Sequence, residues 1–330
     1  MIPVSIVTGF LGSGKTTLIA RVLRHPDFAR TAVIVNEWGE IGLDHELIAA
    51  GDETLVALST GCLCCRVRSD LAATLLELEG RREAGEIPAY LRVLIETSGL
   101  ADPVPILQAL IADADVGRGH RVECVVTLVD AVNGAANLGR HAEARRQVAL
   151  ADRLLVTKRD IVPAMGLEAE LGVLNPGAPV LVAVKGEVAP EMLFGGVDAG
   201  ARAARVAAMP ASSARAFGHS GGIESFVLQR DRPVPALALA MWLEALAEHC
   251  GAKLLRLKGL VEVEEMPGRP AVIHAVRHSV SEPEWLDRWP SAERQSRVVF
   301  ICEGVPRYFP VRLLEAIEEE VRDEMRRQGG

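Results

Sequence analysis

Apolar residues in the first 185 positions come in short, nearly continuous runs rather than in strict alternation: 4–7, 31–36, 54–58, 91–95, 122–130, 154–156 and 179–184. Runs of this kind suit strands buried on both faces, as in a parallel sheet covered by helices on either side. Helical spacing fills the gaps. Leu18-Ile19-Ala20 opens one helix, Leu71, Leu75 and Leu78 recur behind an N-capping Ser69, and residues 163–174 predict another. Strands alternating with helices specify an α/β fold with a doubly wound, mostly parallel sheet, expected over residues 1–198.

The pattern then changes. Residues 199–222 shift to Ala, Arg, Ser and Gly without apolar periodicity and read as a linker. Beyond it, strands are expected at 223–228, 254–264, 271–276 and 297–302, with helices at 235–249 and at the end of the chain. In the last helix Leu314, Ile317, Val321 and Met325 form one stripe, and Glu318 with Arg322 makes an i,i+4 pair. Residues 223–330 thus predict a smaller α+β domain, antiparallel in its sheet.

Composition narrows the class of partner. The 330 residues carry a net charge of −8, which disfavours nucleic acid or an anionic membrane surface. The longest apolar stretch, 236–247, is too short to span a bilayer and contains Glu244. The first strand begins within three residues of Met1, leaving no signal sequence, so a cytoplasmic location is expected. Cys62, Cys64 and Cys65 crowd together, whereas Cys124, Cys250 and Cys302 lie singly in apolar surroundings. That is no disulfide framework; the cluster reads as metal-binding or redox-active.

The sharpest motif is Gly9-Phe10-Leu11-Gly12-Ser13-Gly14-Lys15-Thr16-Thr17, a complete G-x-x-x-x-G-K-[ST] between a predicted strand and helix. Gly9, Gly12 and Gly14 let backbone amides approach a polyphosphate at the positive end of the helix. Lys15 is expected on the β/γ oxygens and the Thr16 hydroxyl on Mg²⁺, with Ser13 and Thr17 completing the cradle. Glu96 and Gly99 close the strand at 91–95, where an acid supports Mg²⁺ and a backbone N–H meets the γ-phosphate. Thr157-Lys158-Arg159-Asp160 is similar to the N-K-x-D base-reading motif: Asp160 would accept from guanine N1–H and N2–H₂, and the Lys158 stem would lie over the base. Two glycines and three acids in residues 36–44 make a loop where a nucleotide-sensing switch would sit. His45, His120 and Asp113 are weaker metal-ligand candidates and read first as surface residues.

Taken in order, the phosphate loop, Asn36-Glu37-Trp38-Gly39, Gly61-Cys62-Leu63-Cys64-Cys65, Glu96-Thr97-Ser98-Gly99-Leu100-Ala101-Asp102-Pro103 and Thr157-Lys158-Arg159-Asp160 resemble the CobW-type P-loop GTPases, relatives of the nickel-insertion GTPases of hydrogenase and urease. Leu257-Lys258-Gly259 is similar to the family's C-terminal domain. The resemblance implies a slow GTPase, with Lys15, Thr16 and Glu96 in catalysis, whose nucleotide state governs delivery of a transition metal to a client metalloprotein. It implies Glu37, then Glu40, as the ligand that joins Cys62, Cys64 and Cys65. Thiolates with a carboxylate suit Zn²⁺ best, with Co²⁺ and Fe²⁺ as alternatives. Two departures stand out: Thr157 replaces the usual asparagine, and the histidine-rich segment of many members is missing. A small-molecule kinase and a regulatory module that moves no metal share the phosphate loop and remain competing readings.

Overall fold

The computed structural model describes residues 1–35, 55–57, 67–162, 166–183, 187–194, 199–209 and 222–328. Contacts divide the chain into two units, one formed by Met1–Gly172 with Ala178–Gly196 and the other by Val173–Gly177 with Val197–Gly330.

In the first unit β1 (Ile2–Gly9), β2 (Thr31–Val35), β3 (Leu55–Ala57), β4 (Arg92–Glu96), β5 (His120–Asp130), β6 (Arg153–Thr157) and β7 (Val180–Val182) form one sheet. Its order is β3-β2-β4-β1-β5-β6-β7, and every pairing is parallel. The burial of all five residues of β2 and of β6 explains their unbroken apolar runs. The helices between the strands are α1 (Lys15–Val22), α2 (Val67–Glu83), α3 (Val104–Ala112), α4 (Ala114–Gly119), α5 (Gly134–Arg140), α6 (Ala142–Leu150), α7 (Leu167–Leu174) and α8 (Pro190–Phe194). After β1 the chain winds toward β2, and after β4 it crosses to β5 on the other side of β1. Such a reversal opens a crevice at the carboxyl ends of the central strands.

Two expectations change here. Helix α2 spans Val67–Glu83, so Ser69 lies within it and not at its N-cap. His120 is 1% exposed and not on the surface, because β5 starts two residues earlier than its apolar run and draws it inside. Burial pushes its pKa down, against the pull of the Glu79 carboxylate.

The second unit contains α9 (Ala199–Ala207), β8 (Ile223–Arg230), α10 (Ala236–Cys250), β9 (Leu254–Val261), β10 (Ala271–Val276), β11 (Ser279–Val280), β12 (Glu284–Trp285), β13 (Ser296–Glu303) and α11 (Tyr308–Gln328). Its sheet is antiparallel, in the order β11-β10-β9-β13-β8, with β12 paired to β10. Side chains alternate between two apolar layers. Leu257, Ile273 and Phe300 join Trp242 of α10 and Leu314 of α11, while Leu260, Val272 and Val299 join Ala203 and Val206 of α9. Phe300 stacks on Phe226 at 4.9 Å and meets Trp242 edge-on at 6.0 Å.

Helix α9 corrects the linker expected from residue 199. Its buried stripe is built of alanines and one valine, too little apolar bulk to show as a period, and Arg297 Nη1 ties its end down by donating to Met209 O at 2.7 Å. The stripe on α11 holds for Leu314, Ile317 and Val321 but ends before Met325, which is 49% exposed. Glu318 and Arg322 are 4.0 Å apart, and each has a closer partner: Arg230 for Glu318 and Glu264 for Arg322.

Candidate functional site

The crevice at the end of β1 is formed by the glycine loop. Gly9, Gly12 and Gly14 all have positive φ. At Gly9 the demand is also steric, since a Cβ there would lie 2.4 Å from Leu128 O and 2.7 Å from Ser13 Oγ. The first turn of α1 carries Lys15, Thr16 and the exposed Thr17. Lys15 Nζ arches back to donate to Gly9 O at 3.0 Å and Phe10 O at 3.4 Å.

Neighbouring strands brace this loop. Thr16 Oγ1 donates to Glu96 Oε1 at 2.7 Å, so the hydroxyl at the start of α1 meets a carboxylate 3% exposed at the end of β4. Two hard oxygens side by side match what Mg²⁺ takes from protein. Thr97 Oγ1 donates to Thr8 Oγ1 at 2.8 Å and clamps the ends of β4 and β1. Gly99 sits against the loop, where a Cβ would come 2.7 Å from Leu11 N. Gln147, 1% exposed on α6, donates to Gly99 O and Ala101 O, both at 3.0 Å, and holds this segment in place.

The turn after β6 joins the same edge. Thr157 Oγ1 donates to Ser13 O at 2.9 Å, so the residue that replaces asparagine ties this turn to the phosphate loop. Lys158 has φ +59°, an uncommon backbone state for a side-chain-bearing residue and one that recurs at ligand clamps. Its Nζ is 2.6 Å from Asp130 Oδ2. Asp160 is exposed at the mouth of the turn, and Arg159 pairs with Glu168 at 3.2 Å.

Asp130 is the residue that motif reading passed over. Its Oδ1 accepts from Val132 N at 2.7 Å and its Oδ2 from Asn133 Nδ2 at 3.2 Å as well as from Lys158. Burial alone would raise its pKa, but the Lys158 ammonium and the Val132 and Asn133 donors outweigh it and hold the carboxyl below the usual carboxylate range. The signal was an aspartate ending an apolar strand three residues before an asparagine, the mark of a side-chain-capped turn. Because the folded pKa is depressed, Asp130 contributes stability above its unfolded value that is lost as pH falls through the folded one. Asp130→Asn should therefore cost about 1–2 kcal/mol near pH 7, a charged hydrogen bond discounted for the half-exposed lysine. In urea titrations the gap from the parent chain should shrink below about pH 4; a gap constant from pH 7 to pH 3 would contradict this account.

Glu37, Glu40, Cys62, Cys64 and Cys65 lie outside the described residues. The three isolated thiols are buried, and burial pushes Cys124 and Cys302 each up to about 12 and raises Cys250 as well. They behave as small core residues, with little thiolate to offer a metal. Among the described residues no helix is long and apolar enough to cross a membrane.

This arrangement, a glycine loop at the switch point of a parallel sheet with its helix threonine against an acid of the next strand, is that of a P-loop nucleotide-binding protein. Comparison with known proteins narrows the class. Residues 3–182 match the model described as "CobW/HypB/UreG, nucleotide-binding domain", and residues 223–319 match "Cobalamin synthesis protein cobW C-terminal domain". The chain belongs to the CobW/HypB/UreG family. It is 32% identical over 322 residues to the zinc chaperone YjiA of Escherichia coli K12, covering 97% of this chain and 96% of that protein. It is 30% identical over 345 residues to the zinc chaperone CobW of a Sinorhizobium species, covering 91% and 92% of the two chains. The crystal structure of Zn(II)-bound YjiA GTPase from E. coli matches it with a TM-score of 0.71 at 26% identity, over 96% of this chain and 98% of that one.

Proposed function

We propose that the chain binds and slowly hydrolyses GTP with Mg²⁺, and that the bound nucleotide governs loading and release of Zn²⁺ destined for a client metalloprotein. The observation that carries this reading is the hydrogen bond from Thr157 to Ser13 O, which couples the turn expected to read the base to the loop expected to hold the phosphates. The names of the relatives, zinc chaperone and Zn(II)-bound GTPase, supply the cargo and the reaction.

In this reading Lys15 leaves the carbonyls of Gly9 and Phe10 for the β/γ oxygens, and the amides from Gly12 to Thr17 cradle the phosphates. Thr16 with Glu96 would hold Mg²⁺, which would supply positive charge against the phosphate oxygens. Gly99 supplies an N–H toward the γ-phosphate, while Lys158 and Asp160 hold the guanine. Zn²⁺ is the cargo of Cys62, Cys64, Cys65 and Glu37. In sequence Glu37 follows β2 and the cysteines follow β3, two strands that pair in register from Val33 with Leu55 to Val35 with Ala57 and so end at the same edge of the sheet.

The test is a Zn²⁺ titration against a chromophoric competitor, with GDP and with Mg²⁺ plus a non-hydrolysable GTP analogue. Zn²⁺ should bind roughly 5- to 150-fold more tightly in the GTP state, the span of typical coupling free energies of about 1–3 kcal/mol, and Zn²⁺ should tighten the analogue by the same factor. Equal Zn²⁺ affinity in both states would end the gated-delivery reading.

A further inference from the structure

Outside the nucleotide crevice, the first unit carries another group of metal-ligating side chains. His25 follows α1, and residues 26–28 make one tight 3-10 turn in which Phe28 N donates to His25 O at 2.9 Å. The turn sets Asp27 beside the imidazole, with Oδ2 3.7 Å from His25 Nδ1. On the other side Glu191, in the first turn of α8, places Oε1 3.7 Å from His25 Nε2. One ligand atom from each of His25, Asp27 and Glu191 lies within 4.8 Å of the other two.

The backing of the group is rigid. Phe28 and Phe194 are 2% and 1% exposed, and their rings lie 5.7 Å apart, which fastens the His25 turn to α8. The His25 ring stands edge-on to Phe28 at 6.3 Å. The carboxylates, by contrast, are free to adjust: the Asp27 and Glu191 side chains are 71% and 56% exposed. Both imidazole-to-carboxylate distances exceed hydrogen-bond range, and His25 Nδ1 is screened from solvent without a hydrogen bond. An ion with bonds of about 2.0–2.1 Å holds tetrahedral ligands roughly 3.3 Å apart. Only one ring nitrogen can bind the ion, so the carboxylate beside the other nitrogen must swing across, from ligand atoms that lie within 4.8 Å of one another, and both carboxylates are exposed enough to change rotamer. The adjoining cleft is lined by Arg21, Arg24 and Glu187, so among these described residues three carboxylates, with Asp27 and Glu191, stand against two guanidinium groups.

We propose that His25, Asp27 and Glu191 form a second divalent-metal site, of one nitrogen and two oxygen ligands with water completing the shell. The site stands apart from the cysteine cluster and does not depend on the nucleotide reading. One imidazole with two carboxylates suits Zn²⁺ or Co²⁺ and binds them more weakly than a thiolate set does.

The experiment uses the full chain carrying Cys62→Ser, Cys64→Ser and Cys65→Ser, titrated with Co²⁺. One saturable ion should bind, with visible d–d bands and no thiolate charge-transfer band. Adding His25→Gln or Glu191→Gln should weaken it tenfold or more, since loss of even a supporting partner costs metal sites 10- to 100-fold. In the parent chain, Zn²⁺ stoichiometry at saturation should fall by one ion per chain with His25→Gln, a readout that holds if the cysteine variant folds poorly. No ion bound by the cysteine variant, or binding and stoichiometry indifferent to His25→Gln, would overturn the proposal.

Discussion

Lys15→Ala should lower single-turnover GTP hydrolysis roughly 100- to 1,000-fold, the loss typical when one charged or hydrogen-bonding group on the developing transition-state charge is removed. The structure indicates why the effect should fall on chemistry more than on folding. The loop's shape is set by positive φ at Gly9, Gly12 and Gly14 and by bonds from Thr16 and Thr157, none of which needs the lysine side chain. Alanine leaves Gly9 O and Phe10 O without the ammonium donor. Gly9 O is buried and Phe10 O part-buried, so losing the donor costs about 1–3 kcal/mol of stability, and the loop's remaining ties keep its shape. The GTP analogue should therefore still bind, several-fold more weakly, while phosphate release nearly stops. Phosphate release at the parent rate, measured by rapid quench with enzyme in excess, would place the reacting nucleotide elsewhere.

The parts of the fold that showed in the sequence are those where one environment acts on a whole segment. Strands β2 and β6 are buried along their full length, so each residue reports the same surroundings and the runs at 31–36 and 154–156 stand out. Helix α9 stayed hidden because alanine can fill a shallow contact with the sheet while adding almost nothing to an apolar pattern. The α11 stripe runs further in the sequence than in the fold for the opposite reason: helical periodicity continues past the point where there is a core to pack against, and Met325 faces solvent.

The candidate site divides in the same way. Its loop was legible because left-handed backbone and close approach admit few residue types, so glycine spacing carries geometry directly. Bonds between distant segments left no such trace. Gln147 reaches Gly99 O from 48 positions away, and Asp130 meets Lys158 from 28. Neither partner is constrained by its sequence neighbours. Thr157 departs from the asparagine pattern, yet its hydroxyl donates across 144 positions to Ser13 O, which a short polar side chain of either type can do.

If this turn reads the base, that contact separates two roles in recognition and leads to the second large expected effect. Asp160 is exposed at the turn mouth and makes no described contact with the phosphate loop, whereas Thr157 is buried against Ser13. If Asp160 accepts from guanine N1–H and N2–H₂, then Asp160→Asn turns an acceptor into a donor against those groups. GTP should weaken by about 3 kcal/mol, roughly 100-fold or more, while xanthosine triphosphate, whose O2 accepts, should gain. Thr157→Ala should behave differently. It leaves the base-reading carboxylate in place but frees the turn from the loop, so GTP and xanthosine triphosphate should both weaken, by about 1 kcal/mol or roughly fivefold, with their ratio unchanged. Calorimetric titration of the parent and both variants with the two nucleotides separates the outcomes. Equal GTP and ATP affinities in the parent, or an Asp160→Asn variant that keeps its preference for GTP over xanthosine triphosphate, would remove Asp160 from the base site. A Thr157→Ala variant whose ratio of the two affinities shifts as far as that of Asp160→Asn would mean that the hydroxyl reads the base and does not merely brace the turn.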